Sequence, residues 1–368
     1  MPTDVTRLAA EHGIVASRPG DPRGYFGWPT VTRTRDGLLV VVASGMRTAH
    51  VCPWGRTVLC TSPDEGRSWS EPMVVNDSVL DDRDAGIVEL DDGSWLLTWF
   101  TSDTRRFWHR LRRRQAPATA DAWRAEFATW PPRGTAGTEG PRTVLSTDRG
   151  VTWSEPRLMP VTSPHGPIQL SDGSLLHLGK RPARSDPAAG PVVAARSVDA
   201  GASWQPLGRV PFPRSVRTRD VHEPHVVELP PDGGRPSELL GAIRVHGRDG
   251  ALGVATTRST DGGRSWSRAE LQPWHGTPPH LWWHSGGVVV MTYGYRLDPY
   301  GQRVALSHDR GRTWAADLVL RDDGPDPDLG YPSTVELGSG ELFTVAYQKL
   351  AAGEHPSLLW SRWSLPDP

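Results

Sequence analysis

The sequence predicts an all-β fold, a six-bladed β-propeller. Three observations lead there: a recurrent Ser-Asp-Gly-Trp signature, a second repeat that counts the sheets, and a composition unsuited to helices. Of 368 residues, 39 are Gly and 35 are Pro, while 17 Trp and a 37% share of hydrophobic residues supply apolar mass for a large core.

The signature S-x-D-x-G-x-[ST]-W occurs five times, at Ser62–Trp69, Ser146–Trp153, Ser197–Trp204, Ser259–Trp266 and Ser307–Trp314. It describes a tight hairpin. The Asp side chain accepts backbone N–H groups of its own turn, Gly permits positive φ, and Trp packs between neighbouring strands. These residues are therefore read as structural.

The second repeat gives the count. Six times a short apolar strand meets a Gly turn and a more apolar strand follows; the turns are Asp36-Gly37, Asp92-Gly93, Asp172-Gly173, Asp232-Gly233, Gly286-Gly287 and Ser339-Gly340. Five units then reach a copy of the signature, and the sixth reaches the C-terminus. A strand near residues 13 to 18 would complete that last sheet and close the ring, leaving few open edges. The expectation is one propeller domain over residues 1–368, with an excursion at about 102–141 in the second blade.

Strand direction then selects candidate site residues. With strands A to D counted outward from the axis and the A–B turns on one face, the starts of the A strands and the ends of the B strands share the other face. The starts are Gly27-Trp28-Pro29, Arg83-Asp84, His165-Gly166-Pro167, His222-Glu223-Pro224, Pro278-Pro279-His280 and Gly330-Tyr331-Pro332. The ends contribute Arg47 to His50, Thr101 onward, Lys180-Arg181, Arg244 to His246, Tyr293 to Arg296, and Tyr347-Gln348. Arg, His, Glu, Asp and Tyr on one rim point to a functional pocket. Several Arg suit a carboxylate or other anion, bound through a guanidinium fork. A Tyr beside a Glu suits covalent catalysis, because a phenol must lose its proton before it attacks.

The five signatures resemble the Asp-box (BNR) repeats of the sialidase superfamily, and the likeness covers nearly the whole chain. The resemblance implies a glycoside hydrolase whose nucleophile is a tyrosine, an exception to the two-carboxylate rule. Tyr331, in GYPST, matches the nucleophile, and Glu223, in HEPHVVEL, matches the glutamate that activates it. Arg244, ending ELLGAIR, and Arg296, in TYGYR, match two of the three arginines that hold the substrate carboxylate. Two positions depart from the pattern. The first-blade Arg-Ile-Pro reads Gly27-Trp28-Pro29, and the acid/base aspartate expected after the first B strand is replaced by the stretch Gly45 to His50. Asp84, His165 and His50 are the remaining candidates for proton donor. Arg47, Arg83, His222, Lys180 and Gln348 join Arg244 and Arg296 as candidate substrate-binding residues. Two other readings stay open: a lyase acting on a uronate-containing glycan, and a sugar-binding propeller without catalysis.

The second-blade excursion opens with Asp103-Thr-Arg-Arg-Phe-Trp-His-Arg-Leu-Arg-Arg-Arg114 and should emerge beside the pocket, as a lid or a subunit contact. Nucleic acid is not expected, since 41 Lys+Arg face 42 Asp+Glu and no binding motif occurs. The absence of an 18-residue apolar run argues against a membrane-spanning helix, and the N-terminus shows no leader pattern, so the expectation is a cytoplasmic protein. Cys52 and Cys60 are too few for a disulfide scaffold, and no metal-ligand spacing occurs. No cofactor is expected; the expected partner is a carbohydrate or glycosylated small molecule.

Overall fold

The computed structural model of the protein describes residues 6–135, 137–182, 190–247 and 252–366. Among them are six four-stranded sheets. Strand β1 (Ala10–Ala16) is set apart from the rest, as explained below. Blade one holds β2 (Tyr25–Arg33), β3 (Leu39–Arg47), β4 (Arg56–Ser62) and β5 (Met73–Asn76). Blade two holds β6 (Asp81–Glu89), β7 (Trp95–Ser102), β8 (Gly140–Ser146) and β9 (Arg157–Leu158). Blade three holds β10 (Ile168–Gln169), β11 (Leu175–Lys180), β12 (Val192–Ser197) and β13 (Gln205–Arg209). Blade four holds β14 (Val221–Leu229), β15 (Glu238–His246), β16 (Leu252–Ser259) and β17 (Glu270–His275). Blade five holds β18 (Pro279–Trp283), β19 (Val289–Tyr295), β20 (Tyr300–Ser307) and β21 (Ala315–Gly324).

Blade six joins the two ends of the chain. Strands β22 (Gly330–Glu336), β23 (Leu342–Gln348) and β24 (Ser357–Trp363) are followed in space by β1, which pairs antiparallel with β24 from Ala10 opposite Trp363 to Ala16 opposite Leu358. The closing strand lies a few residues earlier than the 13 to 18 expected from sequence. Its exposed outer residues, Glu11 and His12, hid the pattern of an edge strand.

The second strand of each blade is buried on both faces, as a strand between two sheets must be; Leu39 to Ala43 and Leu342 to Ala346 are all nearly inaccessible. Each signature folds as its residues dictate. In the first, Ser62 Oγ donates to Asp64 Oδ1 at 2.9 Å and accepts from the Gly66 amide at 2.8 Å, while Asp64 also accepts from the Ser68 amide and hydroxyl at 2.8 and 2.6 Å. Its Trp69 donates to the Gly66 carbonyl at 3.1 Å. The signature glycines also fasten blade to blade. A Cβ on Gly201 would stand 2.6 Å from Leu96 of the preceding blade, and one on Gly66 2.5 Å from Phe343. Both glycines have positive φ, +82° and +89°, so room and conformation each require glycine.

Between β7 and β8 the chain leaves the sheet for the helices α1 (Trp108–Leu111) and α2 (Pro117–Thr129). This excursion has its own small aromatic core, with Trp123 fully buried among Trp54, Trp108 and Phe127. None of the described helices is long and apolar enough to cross a membrane.

Candidate active site

Four innermost strands carry the same defect at the same place. The pairing of A with B slips between Gly27 and Thr30, between Arg83 and Gly86, between His222 and His225, and between Gly330 and Ser333. Inside each slip one non-glycine residue is left-handed: Trp28 (φ 55°), Asp84 (52°), Glu223 (45°) and Tyr331 (52°). His165, just before β10, is left-handed too, at 73°. A β-bulge redirects a side chain out of the alternating pattern, and a left-handed bulky residue costs about 1–3 kcal/mol. Here the bulges turn residues from separate blades toward the axis. Proline follows three of them directly, at Pro29, Pro224 and Pro332, where the ladder is already interrupted and a missing N–H does least harm.

The cluster at the axis is tightly bonded. The Tyr331 hydroxyl donates to Glu223 Oε1, and Arg244 Nη1 donates to Glu223 Oε2 at 2.6 Å and to the Tyr331 oxygen at 3.3 Å. Burial alone would raise the Glu223 carboxyl, but the Arg244 charge and the bonds from Tyr331 and Arg244 outweigh it and hold the group at about 2. Burial and the Glu223 charge push the Tyr331 phenol well above its ordinary value. At rest, therefore, the pair is a neutral phenol donating to a carboxylate. Arg296 stands over the Tyr331 ring, 5.8 Å from its centroid, and donates to the Leu329 carbonyl at 3.1 and 2.8 Å.

A pocket of about 1000 Å³ opens beside this cluster. It is lined by Asp84, Glu223, His222, Lys180 and Arg83, together with Arg106, Phe107 and Arg133 of the second-blade excursion. The excursion thus borders the pocket, as the strand directions imply. Burial pushes the Asp84 carboxyl up to about 7 against the pull of Arg83, and Asp84 Oδ1 has no hydrogen-bond partner among the described residues. His222 lies 5.0 Å from His246, ring to ring, and burial lowers its basicity. Lys180 Nζ donates to the carbonyls of Thr218, at 2.7 Å, and Val221.

Other sequence candidates lie elsewhere. Arg47 is wholly buried and gives both arms to Asp81, at 2.6 and 3.0 Å; its substrate-binding assignment gives way to a structural ion pair. Gln348 is also buried, donating to Asp323 at 2.9 Å and accepting from Gln302 at 3.2 Å, and it does not line the pocket. His165 sits with His225 and His280 around a separate cavity of about 370 Å³, and burial lowers it to about 3, so it is neutral across the physiological range and a poor acid. His50 Nδ1 is held 3.0 Å from both Tyr25 Oη and Asp328 Oδ1, with burial lowering its basicity.

Sequence reasoning did not anticipate Asp328, which also accepts from Tyr25 and Tyr347 at 3.0 and 3.1 Å. It lies three residues before Tyr331, just outside the stretch selected by topology. Nor did it assign a role to Trp28, whose rings pack 5.0 Å from His50 and 6.3 Å from Tyr331. No group of described residues could hold a metal ion.

Comparison with known proteins agrees with the architecture. The sequence profile of a family described as a BNR repeat-like domain matches residues 127–344. No curated protein matches the chain. A protein of unknown function from Dyadobacter fermentans is similar in structure, with 21% identity over 99% of this chain and 100% of that one and a TM-score of 0.76. A Hadza microbial sialidase shares 17% identity over 96% of this chain and 68% of its own, at a TM-score of 0.66. A sialidase from Streptococcus pneumoniae shares 14% over 96% and 70%, also at 0.66. These likenesses concern the fold.

Proposed function

Because the chain belongs to the BNR repeat-like domain family and has the six-bladed propeller of the sialidases, we propose that it is a retaining exo-glycoside hydrolase acting on an anionic or polyhydroxylated sugar. The observation that carries this reading is the bond from Tyr331 to Glu223, reinforced by Arg244. In the first step Tyr331 Oη attacks the anomeric carbon as its proton passes to Glu223, and the glycosidic C–O bond breaks. Phenol and carboxylate differ too much in acidity for a standing phenolate, so proton transfer accompanies attack. Asp84 gives its proton to the departing oxygen. Water then attacks the aryl glycoside, Asp84 takes its proton, and the proton on Glu223 returns to Tyr331. Two inversions at one carbon leave the configuration retained.

Asp84 is preferred to His50 and His165 as proton donor. It lines the same pocket as Glu223 and stays protonated up to about neutrality, whereas burial lowers the basicity of both histidines, His50 being held by Tyr25 and Asp328 and His165 lining the other cavity. Arg296 and the Arg244 edge left over from Glu223 favour an anionic sugar. A panel of aryl glycosides containing a sialoside and a uronide tests the reading. Release of the phenol with a reducing sugar supports hydrolysis; a product with a new conjugated double bond would mean a lyase; saturable binding without turnover would mean a binding protein.

A further inference from the structure

Glu223 and Tyr331 sit on blades four and six, and blade five stands between them. Two buried histidines bridge that gap. His225 lies two residues after Glu223 on β14, and its Nδ1 accepts the Leu281 amide of β18 at 3.0 Å. His280, next to Leu281, accepts the Thr334 amide of β22 on its own Nδ1 at 3.3 Å, and Thr334 lies three residues after Tyr331. The two bonds run in series from the strand of Glu223 to the strand of Tyr331. The rings stack, with centroids 4.1 Å apart and planes tilted by 19°, and each residue is only 6% exposed. The same kind of link continues round the axis. Ser333 Oγ accepts the Val31 amide of blade one at 3.2 Å, and Thr30 Oγ1 donates to the Ala85 carbonyl of blade two at 2.8 Å, next to Asp84.

An amide N–H can only donate, so Nδ1 of each ring carries a lone pair and the ring proton sits on Nε2. An imidazolium would set N–H against N–H, and both bonds would open. Nothing charged nearby would compensate. His225 faces His165, His177 and His280, and His280 faces His225 and His165; among the described residues no carboxylate or arginine acts on either ring. Of the three histidines lining the cavity of about 370 Å³, Glu223 acts on His165 alone. That cavity extends past Glu89, Gln169 and Glu228, toward the A–B turns, which gives protons a way in from the face opposite the sugar pocket.

We propose that His225 and His280 are positioning residues: their neutral rings hold blades four, five and six at the spacing that lets Tyr331 donate to Glu223, and protonating them releases the pair. This role deepens the glycosidase reading, on which it rests for treating Tyr331 and Glu223 as the working groups. Burial and the neighbouring rings hold both histidines well below the ordinary value of 6.5. The link is therefore complete above 6.5, and its contribution is lost as pH falls from there toward the lowered values of the folded rings.

Nuclear magnetic resonance on the whole chain, isotopically labelled at the tyrosine ζ carbon and the histidine ring nitrogens, tests this without turnover; Tyr331→Phe and single histidine variants assign the signals. At neutral pH both rings should be Nε2–H tautomers, and on acidification the Tyr331 signal should move together with theirs. His225→Asn combined with His280→Asn puts an amide oxygen where each Nδ1 stood and cannot titrate. The pair should keep the Tyr331 signal at neutral pH and push its acid change to lower pH. His225→Leu and His280→Leu remove the acceptor. Each should displace the Tyr331 signal already at neutral pH and lower kcat on a cleaved aryl glycoside by about ten- to a hundredfold, with KM little changed. An unchanged Tyr331 signal in correctly folded Leu variants, the same acid transition in the Asn pair, or a proton on Nδ1 of either ring at neutral pH overturns the proposal. The tyrosine signal needs no substrate, so absence of glycosidase activity would sink the mechanism and leave the histidine result standing.

Discussion

Tyr331 and Glu223 are 108 positions apart in the chain and enter from blades six and four, yet the phenol of one donates directly to the carboxylate of the other. Both side chains reach the axis from left-handed positions inside β-bulges, so their meeting is a property of the closed ring rather than of either sheet.

Replacing Tyr331 with Phe removes the attacking oxygen while preserving the ring. Glycoside hydrolysis should drop to background, with sugar affinity retained. Glu223→Gln should lower kcat by roughly 10²–10⁴ and change KM little, because its charge matters most in the transition state. Steady-state kinetics on an aryl glycoside separate the two effects, and full activity in Tyr331→Phe would rule out the mechanism.

The rate should fall as pH rises through about 7, as Asp84 loses the proton it must donate, while Glu223, ionised from about 2, sets no limb in the working range. The same shift acts on stability. The folded state holds the Asp84 proton more tightly than the unfolded chain, so its favourable contribution is complete below the unfolded value near 3.8 and is lost as pH climbs through about 7. Asp84→Asn should abolish the alkaline limb together with most activity on poor leaving groups, and spare substrates whose leaving group needs no proton. A pH–rate series on paired substrates reads this directly.

Arg244→Met should destabilise the fold by about 3–5 kcal/mol, because it strands the Glu223 carboxylate in a site that exposes only 18% of that side chain. Adding Glu223→Gln to Arg244→Met should restore part of the loss. Urea denaturation of the two single variants and the double variant checks it; additive losses would show that the pair is not coupled.

Gly201→Ala should cost about 1–3 kcal/mol, from strain at φ +82° and from the collision of its Cβ with Leu96. Leu96→Ala in the same chain should relieve the collision but not the backbone strain. Midpoints of chemical denaturation report both.

Turns and repeats lie within a few consecutive residues, which is why Asp64, Gly66 and Trp69 could be read as one hairpin and the blades could be counted. The rim residues followed from strand direction alone. What sequence could not convey depended on contacts between blades. Arg47 looked like a free rim cation until Asp81, on the next sheet, took both its arms. Gln348 was misjudged for the same reason, its partners being Asp323 and Gln302. The bulges did leave a trace: Pro29, Pro224 and Pro332 fall where an uninterrupted strand would not accept them. Among the described residues Asp84 Oδ1 has no hydrogen-bond partner, so no contact could have announced it in the sequence.

The left-handed residues lend the site a particular fragility. Contacts within and between sheets hold them, Glu223 by Arg244 of its own blade and by Tyr331 of the sixth, and relaxing any one would swing a side chain out of alignment without melting a strand. Gentle warming or dilute denaturant should therefore silence the protein well before the sheets come apart, so that catalysis reports the tightness of the ring more sensitively than circular dichroism does.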